Sequence, residues 1–183
     1  MSVESDVASL LRNDPVSRIS FKIETISIDK ANMACVAKAI DAKDIAVEIG
    51  SSGPKLGAAY SSFVSRRVAP GEKKLIGKIT LGSADVVVKP VGRAGVFHES
   101  VHGLMDVKGW KLSMHNDEVA AYLADAMYLR LAKANVSGGA QEMAIYNAAF
   151  ALIDKHQMLT KQVSLKWTDC DALRDAIKAH PAY

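Results

Sequence analysis

The strongest structural signal in this sequence is RAGVFHESVHGLM, residues 93–105. Its apolar side chains Phe97, Val101 and Leu104 recur at intervals of three and four residues, which is the period of one face of an α-helix. The segment contains no proline, and the pattern stops at Gly109. The sequence therefore predicts a helix that begins near residue 93 and ends before that glycine.

Three further helices are predicted after this segment. Ser113 or Asn116 can cap the first of them, which keeps the 3.6-residue period to residue 132. The same period continues over residues 140–161, and Thr168 can cap the last helix. The second half of the chain is therefore expected to be helical.

The region before the first signal has a different character. Residues 3–13 have helical spacing, which Asp14-Pro15 stops because the residue before a proline is pushed out of the helical region. Alternating side chains over residues 17–28 predict one half-buried strand. Asp29 can cap a helix that leads into an apolar strand at residues 45–49.

Turn signals and short strands fill residues 50–92. Residues 50–54 have the composition of a loop, residues 56–68 fit a helix or a strand, and Pro70-Gly71 suits a type II turn. Strands are predicted at residues 75–81 and 86–88. The whole pattern predicts an α+β fold, in which a small mixed or antiparallel sheet precedes a helical half.

Composition limits the classes of protein and partner. Hydrophobic residues make up 49% and charged residues 23% of the 183 residues, which is typical of a globular chain and of one domain spanning 1–183. The net charge of +3 is spread along the sequence, and the basic pairs Arg66-Arg67 and Lys73-Lys74 lack interleaved aromatic residues. We therefore expect no nucleic-acid partner.

The expected location follows from what the sequence lacks. No apolar stretch reaches the roughly 18 residues that span a bilayer, and the first residues do not form a basic region followed by an apolar one. Cys35 and Cys170 lie far apart and outside any paired metal-ligand spacing, so both are expected to be free thiols. We predict a soluble cytoplasmic protein without a membrane partner, and export without a classical signal stays open.

The chemistry-bearing motif lies inside the first predicted helix, as His98-Glu99-Ser100-Val101-His102. Two histidines four residues apart project from the same helix face one turn apart, so both imidazoles can bind one metal ion. Glu99 lies about 100° around the helix from His98, where its carboxylate reaches a metal-bound water instead of the metal. In this His-Glu-x-x-His arrangement, zinc lowers the pKa of its water to near 7 and the glutamate is the general base. The motif predicts a Zn²⁺-dependent hydrolase with Glu99 as its catalytic residue.

A third protein ligand is required, because catalytic zinc sites use three and keep the fourth position for water. We predict Glu118, since the break before the next helix is long enough for that helix to fold back across the motif. Asp117 and His115 are the alternatives. Lys108 stands where an extended motif would have its third histidine, so the ligand is expected to be acidic.

These residues resemble the gluzincin peptidases, thermolysin-like in the broad sense. The resemblance covers residues 93–132 and includes DEVAAYLA, residues 117–124, which looks like the second-helix signature of minimal bacterial members. It implies a zincin-like fold, with zinc bound by His98, His102 and Glu118. It also implies a peptide or protein substrate aligned by strand addition along residues 76–81. The chain departs from the larger enzymes by lacking their Asn-Glu-x-x-Ser-Asp string.

Supporting residues around such a site are less strongly predicted. Asp106 and Asp125 could orient the ligand histidines. Tyr122, Tyr146 and His156 are candidates to stabilise an oxyanion, although core packing is the ordinary role of such residues on amphipathic helices.

Two other readings compete with the hydrolase. The first is a binding, regulatory or toxin-like module that keeps zinc for structure or has lost catalysis, and the second is a metal-free structural domain.

Overall fold

Six α-helices and six short strands are present in the described part of the chain, residues 2–50, 57–64 and 75–183 of a computed structural model. This composition confirms the α+β class. In chain order the elements are α1 (Val3–Arg12), β1 (Phe21–Ile23), β2 (Ile26–Ile28), α2 (Lys30–Asp41), β3 (Ile45–Ile49), β4 (Ala58–Ser62), β5 (Gly77–Leu81), α3 (Pro90–Lys108), α4 (Met114–Leu131), α5 (Ala140–His156), β6 (Val163–Leu165) and α6 (Asp171–Lys178). The loop predicted beyond residue 50, the turn at Pro70-Gly71 and the two basic pairs lie outside the described residues.

The strands form two sheets of three strands each. In the first sheet, β5 lies in the middle, parallel to β3 and antiparallel to β4. This is the mixed sheet expected before the helical half. In the second sheet, β1 pairs with β2 and with β6, which comes from the end of the chain.

Three local predictions were wrong for identifiable reasons. Residues 17–28 form a 3₁₀ turn and a hairpin instead of one strand, because the chain reverses at Glu24, whose φ is 52°. Residues 86–88 belong largely to a 3₁₀ turn, Ala84–Val87. The backbone carbonyl of Asp85 stabilises this turn by accepting hydrogen bonds from the backbone N–H groups of Val88 and Lys89. The third long helix ends at His156, where Gln157 adopts a left-handed conformation.

The helix caps agree with the sequence in two of three places. The Asp29 carboxylate accepts the N–H of Asn32 at 2.9 Å, as predicted for α2. Ser113 caps α4 by accepting the N–H of Asn116, so the serine is the cap and the asparagine lies inside the helix. Thr168 does not cap α6, because it lies in a 3₁₀ turn and the helix begins at Asp171.

The motif helix α3 lies at the centre of the packing. It packs most extensively against α4 and also contacts β4, β5 and α2. Phe97, Val101 and Leu104 are fully buried, and each contributes about 2 kcal/mol through the hydrophobic effect. No helix in residues 2–50, 57–64 and 75–183 is long and apolar enough to cross a bilayer.

The two cysteines differ in accessibility, and this difference provides a test of the fold. Cys170 is fully buried, and burial raises the pKa of its thiol to about 12, whereas Cys35 is half-buried. Because the thiolate is the reactive form, we expect iodoacetamide at pH 8 to alkylate Cys35 at least about 100-fold faster than Cys170. Mass spectrometry of timed samples measures both rates, with urea-unfolded protein as the control in which the rates converge. Equal rates in the native protein would contradict the burial of Cys170.

Candidate metal centre

Two neighbouring helices carry the three predicted metal ligands. His98 and His102 lie one turn apart on α3, with ring centroids 5.0 Å apart. α3 ends at its cap Gly109, whose left-handed backbone (φ 66°) is favourable for glycine, and α4 begins at Met114, directly after its cap Ser113. The short connection brings Glu118, near the start of α4, back to the two histidines.

The donor atoms converge on one point. Nε2 of His98 lies 3.4 Å from Oε2 of Glu118, and Nε2 of His102 lies 3.6 Å from Oε1 of the same carboxylate. One donor atom from each residue falls within 4.8 Å of the other two. These separations are compatible with one shared cation. The structure therefore brings together the three residues that the sequence selected.

The other ring nitrogen of each histidine faces an aspartate. Nδ1 of His102 lies 3.0 Å from Oδ1 of Asp117, and Nδ1 of His98 lies 3.9 Å from Oδ2 of Asp125. The Tyr146 hydroxyl donates a 2.7 Å hydrogen bond to Asp125. Carboxylates behind ligand histidines fix the ring orientation and leave Nε2 for the metal. Asp117, an alternative third ligand in the sequence, thus lies behind a histidine.

Asp106 does not orient a histidine as expected. Its carboxylate instead accepts a 2.8 Å hydrogen bond from the Tyr60 hydroxyl. The other alternative ligand, His115, lies outside the donor group and does not line the cleft around it.

Two buried oxygens at this site make no hydrogen bond in the described part of the chain. They are Oε2 of Glu118 and Oδ1 of Asp125. A buried acceptor without a donor costs about 1–3 kcal/mol, and more when it is charged. Oε2 of Glu118 lies 3.4 Å from Nε2 of His98, so a cation bound by these two residues would satisfy it. The residues present therefore fit a metal ion.

The pKa values indicate that the site favours positive charge. Burial alone would lower the pKa of the His98 imidazole, but Glu118, Glu99 and Asp125 outweigh it and raise this pKa to about 9. Burial and the neighbouring His98 would also lower the pKa of the His102 imidazole. Asp117 and Glu118 outweigh them, so this pKa is raised. The pKa of Glu118 is lowered, because the two histidines outweigh its burial. The carboxylates thus stabilise a cation here, either protons on the rings or a metal ion in their place.

Glu99 lies beside the donor group and is not part of it. Its Oε2 accepts a 2.8 Å hydrogen bond from the backbone N–H of Tyr60 on β4. It lines the same cleft of about 830 Å³ as His98, His102 and Glu118, and only 8% of its surface is exposed. The sequence predicts a base next to the metal ligands, and the structure adds that one of its carboxylate oxygens is held by β4.

The strand expected to align a substrate is not available for strand addition. Residues 77–81 form β5, which is hydrogen-bonded on both sides, so its backbone cannot accept another strand. Within residues 2–50, 57–64 and 75–183, the edge strand beside the site is β4 instead. Its Tyr60 joins it to α3 twice, through the backbone bond to Glu99 and the hydroxyl bond to Asp106.

The Tyr60 ring needs a glycine beneath it. A Cβ on Gly77 would lie 2.0 Å from the Tyr60 hydroxyl oxygen, and a Cβ on Gly103 would lie 3.4 Å from the ring. Gly77 on β5 therefore allows the ring to lie where it does, whereas a side chain at Gly103 would make close to an ordinary van der Waals contact with the ring.

Aromatic side chains line the rest of the cleft. The Tyr122 ring packs edge-on against His98, with centroids 4.7 Å apart, while the Tyr146 hydroxyl is engaged by Asp125. His156, the third oxyanion candidate in the sequence, does not line the cleft. Trp110, on the loop after α3, also lines the cleft.

Tyr183 is a site residue that the sequence reading missed. It lines the cleft, and its hydroxyl lies 3.0 Å from that of Tyr122. It follows α6 in a segment without periodic pattern or motif, so no sequence signal connected it with the histidines.

No family model matches this chain, and neither the curated proteins nor the solved structures include one similar to it. The resemblance to gluzincin peptidases therefore stays a prediction from residues 93–132.

Proposed function

We propose that this chain is a zinc-dependent hydrolase, and specifically a peptidase, in which His98, His102 and Glu118 hold Zn²⁺ and Glu99 is the general base. The observation that carries the proposal is the convergence of the two Nε2 atoms on the Glu118 carboxylate. The aspartates behind both Nδ1 atoms support it, because this is the usual environment of ligand histidines.

Zinc is the metal that this donor set favours. Two imidazoles and one carboxylate form a typical catalytic zinc set, and three protein ligands leave a fourth position open. When bound, the ion would polarise a substrate carbonyl and lower the pKa of water to near 7.

Glu99 is placed to move the protons of an amide hydrolysis. As water attacks the carbonyl carbon, one of its protons passes to the Glu99 carboxylate, and the same proton then passes to the leaving amine as the C–N bond breaks. The Tyr60 N–H holds one oxygen of Glu99, which limits the freedom of the side chain. The base is therefore oriented before a substrate binds.

An extended peptide is the substrate that the surroundings favour. The cleft is large enough for several residues of a chain, and the edge strand β4 forms one of its walls. Apolar side chains after α3 can contact substrate side chains: Trp110 and Leu112 on the loop, and Met114 at the start of α4.

Metal analysis together with a cleavage assay tests this proposal. We expect purified protein to contain one zinc per chain by plasma mass spectrometry, and to cleave a mixed peptide library in a chelator-sensitive way that added zinc restores. Stoichiometric zinc without cleavage would favour a structural zinc module instead. Protein that takes up no zinc even on titration would contradict both.

A further inference from the structure

Tyr183 joins the metal site from outside the two helices that build it. Its hydroxyl lies 3.0 Å from the Tyr122 hydroxyl and also contacts the Glu118 side chain. Tyr122 lies one turn after Glu118 on α4, and its ring packs on His98. The two tyrosines and the predicted carboxylate ligand thus form one cluster at the wall of the cleft.

The protons of the Tyr122 and Tyr183 hydroxyl groups determine which hydrogen bonds this pair can donate. Two hydroxyl groups carry two protons, and their mutual hydrogen bond uses only one of them. The second proton needs an acceptor. The acceptor that the Tyr183 hydroxyl contacts is the Glu118 carboxylate, whereas Asp125 accepts from the Tyr146 hydroxyl through its Oδ2.

We propose that Tyr183 is a positioning residue for Glu118, and that its hydroxyl donates to one carboxylate oxygen while the other faces the metal. This inference rests on the proposed metal site and adds a residue to it. A carboxylate held in this way binds through one oxygen, which leaves a coordination position open for water. Donors behind ligand carboxylates typically change metal affinity by 10–100-fold.

The test compares metal binding by Tyr183→Phe with that by the wild type. We expect Tyr183→Phe to bind Zn²⁺ about 10-fold more weakly in competition with a chelator. We also expect the visible absorption bands of the Co²⁺-loaded variant to weaken, as Glu118 turns to bind through both oxygens and raises the coordination number. Neither readout depends on peptide cleavage.

Two control variants separate positioning from packing. Tyr128→Phe removes the hydroxyl of a buried tyrosine that lies outside the cleft, and should leave both readouts unchanged. Tyr122→Phe leaves the Tyr183 proton available to Glu118, so it should weaken zinc binding less than Tyr183→Phe does.

Three results would overturn the inference. Wild-type affinity and an unchanged Co²⁺ spectrum in Tyr183→Phe would contradict it while the proposed metal site stands. An equal or larger loss in Tyr122→Phe would assign the effect to the tyrosine pair instead of Tyr183. A wild-type protein that binds neither ion would contradict this inference and the proposed function together.

Discussion

Replacing Glu99 by glutamine is expected to abolish peptide hydrolysis while zinc stays bound. An amide cannot take up the proton of the attacking water, and a positioned general base typically contributes 10²–10⁴-fold to the rate, so we expect kcat to fall by about 10³-fold. Zinc content should not change, because Glu99 is outside the group of three donor residues. The measurements are kcat on the cleaved library peptides and metal content on the same preparation.

The substitution is chosen to preserve the structure around it. The glutamine carbonyl oxygen can still accept the Tyr60 N–H, so β4 should keep its contact with α3. Glu48→Gln is the matched control, because it makes the same change in an exposed ion pair with Lys78 that contributes little. Undiminished kcat in Glu99→Gln would refute its role as base. Loss of zinc would instead assign Glu99 to coordination.

The part of the site that the sequence predicts well is the part that local geometry determines. Residues four apart on a helix share a face, so His98 and His102 follow from helical periodicity alone. Glu118 follows from the connection after Gly109, which is long enough for α4 to fold back along α3.

The missed features depend on distances along the chain that no local pattern contains. Tyr60 and Tyr183 reach the site from segments far from the motif in sequence, and neither belongs to a periodic face that points to the histidines. The choice of Asp117 instead of Asp106 behind His102 depends on how α4 lies across α3, because Tyr60 already occupies Asp106.

The sheets show the same division between local and non-local information. Strands β3 and β5 have enough alternating or apolar residues to be predicted, but strands of three residues such as β6 are too short for a period to be visible. Which strand lies at the edge depends on strand order, and the sequence pattern of β5 did not reveal that β4 would lie outside it.

The three acidic or imidazole side chains considered as the third ligand should differ sharply in their effect on zinc affinity. Glu118→Gln is expected to weaken zinc binding by on the order of 10³-fold or more, because it removes a ligand that faces both Nε2 atoms. This loss is larger than the 10–100-fold that is typical when a residue behind a ligand is changed. Asp117→Asn should fall within that 10–100-fold range, since it contacts only Nδ1 of His102. His115→Gln should leave the affinity unchanged.

Isothermal titration calorimetry or chelator competition at one pH measures the zinc affinity of each variant in this series. His115→Gln serves as the matched control on the same turn of α4. All three substitutions keep side-chain volume and leave the Ser113 cap intact, so α4 should remain folded. A ranking in which Asp117→Asn loses more affinity than Glu118→Gln would make Asp117 the ligand and Glu118 its support. A loss of affinity confined to His115→Gln would place the metal away from the Glu118 carboxylate. The assignment of Glu99 as base would then fail too, because His98 and His102, the neighbours of Glu99 on α3, would no longer set the distance between Glu99 and the ion.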